Sequence, residues 1–251
     1  MLEKNNIYQG DCLELMKSID DKSIDLICTD HPYGSTRNKW DIIIPFELLW
    51  EQYERIIKDD GAIVLFANGM FTAKMMLSNE KMWRYNIIWQ KTTATGHLNS
   101  KKMPLRSHED ICIFYKKPPT YNPQKTFGHE RKVSTAKHKR NSKQTTNYGE
   151  YGLTSYDSTE RYPKSVWTFV TDKQKSALHP TQKPILLIEE IIKTFSNEGD
   201  LVLDSCAGSS TTAIASINTG RDWIMMEKET EYYDKSIIRI KERLENEKEK
   251  N

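Results

Sequence analysis

A mostly parallel α/β sheet is the fold that this sequence predicts, and three observations carry it. Short apolar runs bounded by turn signals alternate with segments of helical period, the pattern of strands joined by crossover helices. An apolar run ending at Asp204 passes through a small-residue loop into a helical segment, the βα turn at which such sheets bind ligands. The 251 residues suffice for one large α/β domain.

Each element has its own signal. Cys12, Leu15, Met16 and Ile19 share one face of a helix over 11–19, and IDLICTD (24–30) reads as a short buried strand. Pro45 opens a helix striped by Phe46, Leu49, Trp50, Tyr53 and Ile57. GAIVLFA (61–67) is the next strand, followed by a Met-rich helix near 71–78. RYNIIWQK (84–91) and EDICIFYK (109–116) read as two more strands. From about 117 to 164 the periodicity fails, and so long an irregular stretch is usually functional or disordered. Pro184 then starts a helix with Ile185, Ile188, Ile192 and Phe195 on one face, ended by Asn197-Glu198-Gly199. A strand at 200–204, a helix at 209–219 and a strand at 222–226 follow. The last helix aligns Tyr233, Ile237, Ile240 and Leu244. The expected organisation is a sheet built from 1–116 and 165–251, interrupted by an insertion at 117–164.

Composition excludes several classes. No stretch approaches the ~20 apolar residues that span a bilayer, and the N-terminus lacks the apolar core of a secretory signal. Cys12, Cys28, Cys112 and Cys206 are scattered without a CxxC pair, which argues against disulfides and zinc. None of the six histidines shows HxH or HExxH spacing, so no metal site is expected. A soluble cytoplasmic protein is the expectation. Net charge is +2, but segment 116–150 holds nine Lys/Arg and two Glu, giving +7 and leaving −5 elsewhere. That concentration suits a local polyanion contact and, by charge alone, equally a solvated loop.

Three constellations carry chemistry. Asp30-His31-Pro32-Tyr33-Gly34 sits where a predicted strand ends, the usual ligand-binding edge of an open α/β sheet. An amino group conjugated to an aromatic ring is a poor nucleophile because its lone pair is delocalised. The Asp30 carboxylate and the His31 carbonyl can accept its two N–H groups and stabilise the positive charge that develops there. Tyr33 offers a face for an extruded base, and Pro32 confines His31 to extended backbone. An imidazole at the mouth of the site would also respond to pH near ~6.5. The second constellation is VLDSCAGSSTTAIAS (202–216), with Glu227 after the next strand, where an acidic residue meets ribose hydroxyls. GxGxxG and the P-loop are both absent, so a conventional dinucleotide or triphosphate is disfavoured and a ribose-bearing ligand with a small polar end remains. The third is His179-Pro180-Thr181-Gln182-Lys183-Pro184, which by itself is a helix cap with a proline start.

Asp-x-Pro-Tyr, HPTQKP and the strand–Gly-loop–helix with its acidic residue, in this order, resemble the β-class DNA amino-methyltransferases. The likeness runs from about residue 7 to 244 and is weakest across 117–164. It implies a class I methyltransferase (Rossmann-like) sheet with helices on both faces, an inserted basic target-recognition region, and S-adenosylmethionine as cofactor. By resemblance, Asp30, His31, Pro32 and Tyr33 form the catalytic loop. Asp204, Cys206, Ala207, Gly208 and Ser209 hold the methionine end of the cofactor, Glu227 its ribose and Asp11 its adenine. Gln182, Lys183 and Pro184 close over the methionine moiety, and Lys132, Lys137, Lys139, Arg140 and Lys143 contact nucleic acid. Two positions depart from the family pattern. His31 stands where proline is usual, and Cys-Ala-Gly-Ser-Ser replaces Phe-x-Gly-x-Gly, leaving a Cβ at Ser210 where the backbone must turn. The implied activity is methylation of adenine N6 in double-stranded DNA, since N4-cytosine enzymes more often begin the tetrapeptide with Ser. N4-cytosine methylation and a catalytically silent DNA-binding homologue are the alternatives. A homodimer and a cognate restriction endonuclease are the implied partners, in a prokaryotic cell or phage-infected host.

Overall fold

The computed structural model describes residues 2–135, 155–170 and 182–248. In chain order the strands are β1 (Asn6–Gln9), β2 (Ile24–Thr29), β3 (Ile57–Ala67), β4 (Trp83–Thr95), β5 (Arg106–Phe114), β6 (Lys132–Ser134), β7 (Tyr156–Ser158), β8 (Val166–Phe169), β9 (Leu201–Asp204) and β10 (Asp222–Glu227). The helices are α1 (Cys12–Met16), α2 (Phe46–Ile56), α3 (Met70–Ser78), α4 (Ile185–Phe195), α5 (Thr211–Asn218) and α6 (Thr230–Lys248). They form two compact units, one of Met1–Asn122 with Ser165–Asn251, the other of Pro123–Lys164.

The larger unit is built on one sheet in the order β1-β10-β9-β2-β3-β5-β4-β8. β1, β10, β9, β2 and β3 run parallel, β5 pairs antiparallel with β3 and β4, and β8 runs parallel to β4. Period-two alternation explains why both faces are covered. On β3, Ile63, Leu65 and Ala67 join the layer of α1, α2 and α3, while Ala62, Val64 and Phe66 join α4. On β5, Cys112 and Phe114 face the first layer, and Ile111 and Ile113 the second. A Rossmann-like α/β sheet with helices on both faces is the result. Among the described residues no helix is long and apolar enough to cross a membrane.

Several expected boundaries move. The first helix stops at Met16 because residues 17–19 continue only as turns, Lys17 N–H donating to the Glu14 carbonyl. β3 starts at Ile57 rather than 61, directly from the end of α2, and α5 starts at Thr211 rather than 209. β1 and β8 have no counterpart among the expected strands: one is a polar NIYQ, the other a four-residue VWTF beyond the irregular stretch. Of the stripe expected on α6, Ile240 is buried, while Ile237 and Leu244 are each 40% exposed. The helix therefore touches the sheet along a narrower line than its sequence suggests.

The smaller unit carries the antiparallel β6–β7 pair, with Val133 opposite Asp157, and a bridge between Thr126 and Arg161. Arg131 Nε donates to Asp157 at 2.7 Å and Lys125 pairs with Glu160 at 2.8 Å.

Candidate active site

At the carboxyl ends of β2, β3, β9 and β10 lies a cleft of about 980 Å³, enough for a small-molecule ligand together with a second group. Asp30, His31, Pro32 and Tyr33 all line it, directly after the last residue of β2. The Tyr33 hydroxyl donates to Asp30 Oδ1 at 2.7 Å, and its ring stacks on Phe71 of α3 with centroids 4.8 Å apart. One face of Tyr33 is thus taken by protein. The loop after it closes on Asp41, whose carboxylate accepts from the amides of Gly34 and Ser35 at 2.8 Å and Thr36 at 2.6 Å. Gly34 has φ +65°, and a Cβ there would lie 3.0 Å from Ile43 Cγ1, so the turn favours glycine twice over.

Beneath Asp30 runs an alternating chain of partly buried charge. Lys183 Nζ pairs with Asp30 Oδ2 and, at 3.3 Å, with Glu109 Oε2, while Lys91 pairs with Glu109 Oε1. Burial raises the Asp30 pKa and Lys183 draws it back. Burial also opposes the Lys183 charge, but Asp30 and Glu109 outweigh it and hold the ammonium above its ordinary value. Lys183, expected over the cofactor, is therefore tied to the Asp30 carboxylate. Glu109 and Lys91 were not among the expected site residues, although an acid opening an otherwise apolar strand was a visible signal.

The imidazole of His31 corrects an expectation. It does not sit at the mouth of the site: it is 4% exposed and turned inward, with Nε2 2.9 Å from the Tyr53 hydroxyl and Nδ1 buried without a hydrogen-bond partner. Burial lowers its pKa to about 3, so it stays neutral at neutral pH.

The loop after β9 is shaped by carboxylates accepting from backbone and hydroxyl groups. Asp204 accepts from the Cys206 amide at 3.0 Å and the Thr212 hydroxyl at 2.6 Å, and burial pushes its pKa up to about 7. Glu227 accepts from the Gly208 amide at 2.7 Å and the Glu229 amide at 2.8 Å. Asp11 caps α1 through the Leu13 amide and pairs with Lys228 at 3.1 Å. Ser209 Oγ donates to Gln182 Oε1 at 3.2 Å. Asp11, Gln182, Lys183, Asp204, Cys206, Ala207, Gly208, Ser209 and Glu227 all line the cleft; Pro184 instead starts α4 and does not. Ser210 does adopt a left-handed backbone, φ +57°, at a cost of about 1–2 kcal/mol for a residue with a Cβ, and its Oγ is buried without a partner. Carboxylates around a wall of small residues suit a ligand with a cationic centre and sugar hydroxyls, as S-adenosylmethionine has.

Of the residues expected at nucleic acid, Lys132 is exposed on β6. Lys137, Lys139, Arg140 and Lys143 lie outside the described residues. Part of the +7 of the basic segment is compensated locally, since Lys117 pairs with Asp59 at 3.1 Å, Lys125 with Glu160 and Arg131 with Asp157.

Comparison with known proteins bears on the same residues. The profile of the DNA methylase family matches residues 24–239. The chain is 27% identical to Type II methyltransferase M1.MboII of Moraxella bovis, over 94% of this chain and 96% of that protein. It is 29% identical to DNA adenine methyltransferase YhdJ of Escherichia coli (strain K12), over 95% and 83%. In fold it is similar to the M1.HpyAVI–SAM complex (TM-score 0.62, 24% identity, 93% and 98% covered). It is also similar to the cytosine-N4-specific PvuII DNA methyltransferase (TM-score 0.70, 17% identity, 95% and 87% covered). A match spanning both the loop at Asp30 and the strand ending at Glu227 assigns the chain to the DNA methylase family of N6/N4 type, S-adenosylmethionine-dependent DNA methyltransferases.

Proposed function

We propose that this methyltransferase acts on the exocyclic N6 of an adenine flipped out of double-stranded DNA. The observation that carries the reading is the fixed, partly buried carboxylate of Asp30, aligned by the Tyr33 hydroxyl on one oxygen and the Lys183 ammonium on the other. Each carboxylate oxygen keeps a further lone pair for an amine N–H. With the His31 carbonyl as second acceptor, the target nitrogen is drawn toward pyramidal geometry and its developing positive charge is stabilised. When bound, S-adenosylmethionine supplies an electrophilic methyl group on its sulfonium. Asp204, Cys206, Ala207, Gly208 and Ser209 take its methionine end, with Gln182 beside them. Glu227 takes the ribose and Asp11 the adenine. Tyr33, stacked on Phe71 and with Lys183 Nζ 6.0 Å from its ring centroid, packs against the flipped base.

Adenine is favoured by Asp30 at the head of the tetrapeptide and by the relative named as an adenine methyltransferase. A second reading, N4-cytosine methylation, draws on the fold likeness to the cytosine-N4-specific enzyme. Lys132, Lys137, Lys139, Arg140 and Lys143 are the proposed phosphate contacts within a target-recognition region at 117–164. A cytoplasmic setting, a homodimer and a cognate restriction endonuclease complete the reading, the last consistent with relatives named as Type II methyltransferases. Incubation with DNA and radiolabelled S-adenosylmethionine, followed by chromatography of the nucleosides, tests it. Label in N6-methyl-2′-deoxyadenosine supports the proposal, label in N4-methyl-2′-deoxycytidine supports the second reading, and tight DNA binding without label indicates a silent binder.

A further inference from the structure

The second residue of the catalytic tetrapeptide and the cofactor loop are joined by a buried chain of polar groups. His31 Nε2 meets the Tyr53 hydroxyl at 2.9 Å, and that hydroxyl meets Ser205 Oγ at 2.6 Å. The Ser205 amide donates to Thr29 Oγ1 at 3.2 Å, and Thr29 immediately precedes Asp30. Tyr53 is 0% exposed and Ser205 3%, and the Tyr53 ring is held edge-on by Trp50 with centroids 6.1 Å apart. The chain closes only if α2, the end of β2 and the end of β9 are in mutual register.

Its effect follows from the backbone chemistry of residue 31. A residue before proline is confined to extended conformations, yet its φ still ranges over tens of degrees. A proline at position 31, usual in the resembling family, fixes φ at about −65° through its ring. His31 lacks that ring, and the bond from its imidazole to Tyr53 restrains the same residue through the side chain. We propose that Tyr53 is a positioning residue for methyl transfer. Through His31 and Ser205 it holds the carbonyl of residue 31 in register with the loop that grips the cofactor. This inference rests on the reading of that carbonyl as an acceptor for the target amine.

Single-turnover methylation at saturating S-adenosylmethionine and DNA tests it, with cofactor affinity and melting temperature measured on the same samples. Tyr53→Phe removes one oxygen and keeps the packed ring. The transfer rate should fall on the order of tenfold while cofactor affinity stays within about twofold, the split expected when only the reacting geometry is disturbed. Ser205→Ala should show a similar loss, and the double variant Tyr53→Phe/Ser205→Ala about the same loss again, because residues acting as one unit are not additive. Adding His31→Pro to Tyr53→Phe should recover about half or more of the lost rate, since the ring restores the restraint on φ. A purely structural role gives no such rescue. A wild-type rate in Tyr53→Phe overturns the inference. So does a loss that is wholly weaker cofactor binding, or a His31→Pro/Tyr53→Phe variant no faster than Tyr53→Phe. A wild-type protein that transfers no methyl to DNA instead removes the proposed function, and this role with it.

Discussion

At the end of β2, Asp30 is held by a cation that is itself held by a second carboxylate: Lys183 lies between Asp30 and Glu109, and Lys91 closes the far side. At the end of β9, Asp204 is held by an amide and a hydroxyl, and at the end of β10 Glu227 is held by two amides. Charge answers charge at one loop, and backbone dipoles answer charge at the other. The difference teaches what each carboxylate is for. Each of the three carboxylates accepts one bond on each oxygen, and the donors differ: an ammonium and a hydroxyl orient the Asp30 side chain, whereas at Asp204 and Glu227 backbone amides of the neighbouring loop donate and give that loop its shape. Burial accordingly pushes Asp204 to about 7, while Lys183 limits the rise at Asp30.

The largest effect should come from breaking the ion chain. Lys183→Met leaves Asp30 without its cation and Glu109 with Lys91 alone, and should cost about 3–5 kcal/mol of stability in denaturant unfolding. A cost no larger than that of Glu227→Ala would erase the distinction between the loops. Glu227→Ala should instead weaken S-adenosylmethionine binding by roughly 1–3 kcal/mol, the range for hydrogen bonds to a charged group. Calorimetry showing unchanged affinity would remove Glu227 from the cofactor side.

His31 sharpens the comparison, because it belongs to the ion-chained loop and carries no charge itself. Its pKa of about 3 in the fold lies below the 6.5 of the free side chain. The unfolded chain therefore takes up a proton below 6.5 that the folded protein refuses. The stabilising contribution is complete above 6.5 and fades as pH falls from there to about 3. Relative to His31→Gln, the wild type should lose about 1.4 kcal/mol per pH unit in that window. Equal acid sensitivity of the two proteins would mean the imidazole is not buried neutral. The smallest effect concerns neither loop. Neutralising Lys132, Lys137, Lys139 and Arg140 should lower the slope of log K against log salt by about 0.9 for each phosphate left without its cation, with little change in target preference. An unchanged slope would put the DNA interface elsewhere.

Much of this was legible in the sequence, for physical reasons that also mark the limit. β2, β9 and β10 are largely buried strands and announce themselves as apolar runs, and Pro184 marks the start of α4. β1 pairs only with β10 at one edge of the sheet and needs no apolar signature, so NIYQ was silent. Asp30 and Glu227 stand at strand ends and could be found by position. Glu109, Lys91 and Tyr53 reach the site only because β5 folds back antiparallel between β3 and β4, and because α2 packs over β2. The direction of the His31 ring was equally hidden. A tetrapeptide constrains the carbonyl through its proline, but what lies behind the side chain depends on a helix that arrives later in the chain.

Asp30, the proposed amine acceptor, is set apart from the residues proposed to hold the cofactor. Single-turnover transfer and calorimetric cofactor affinity of Asp30→Ala test both halves at once. Transfer should fall by on the order of 10²-fold or more, with S-adenosylmethionine affinity within about twofold of wild type because the contacts proposed for it lie on the other loop. Near-normal turnover, or a loss of cofactor binding as large as the loss of rate, would contradict it.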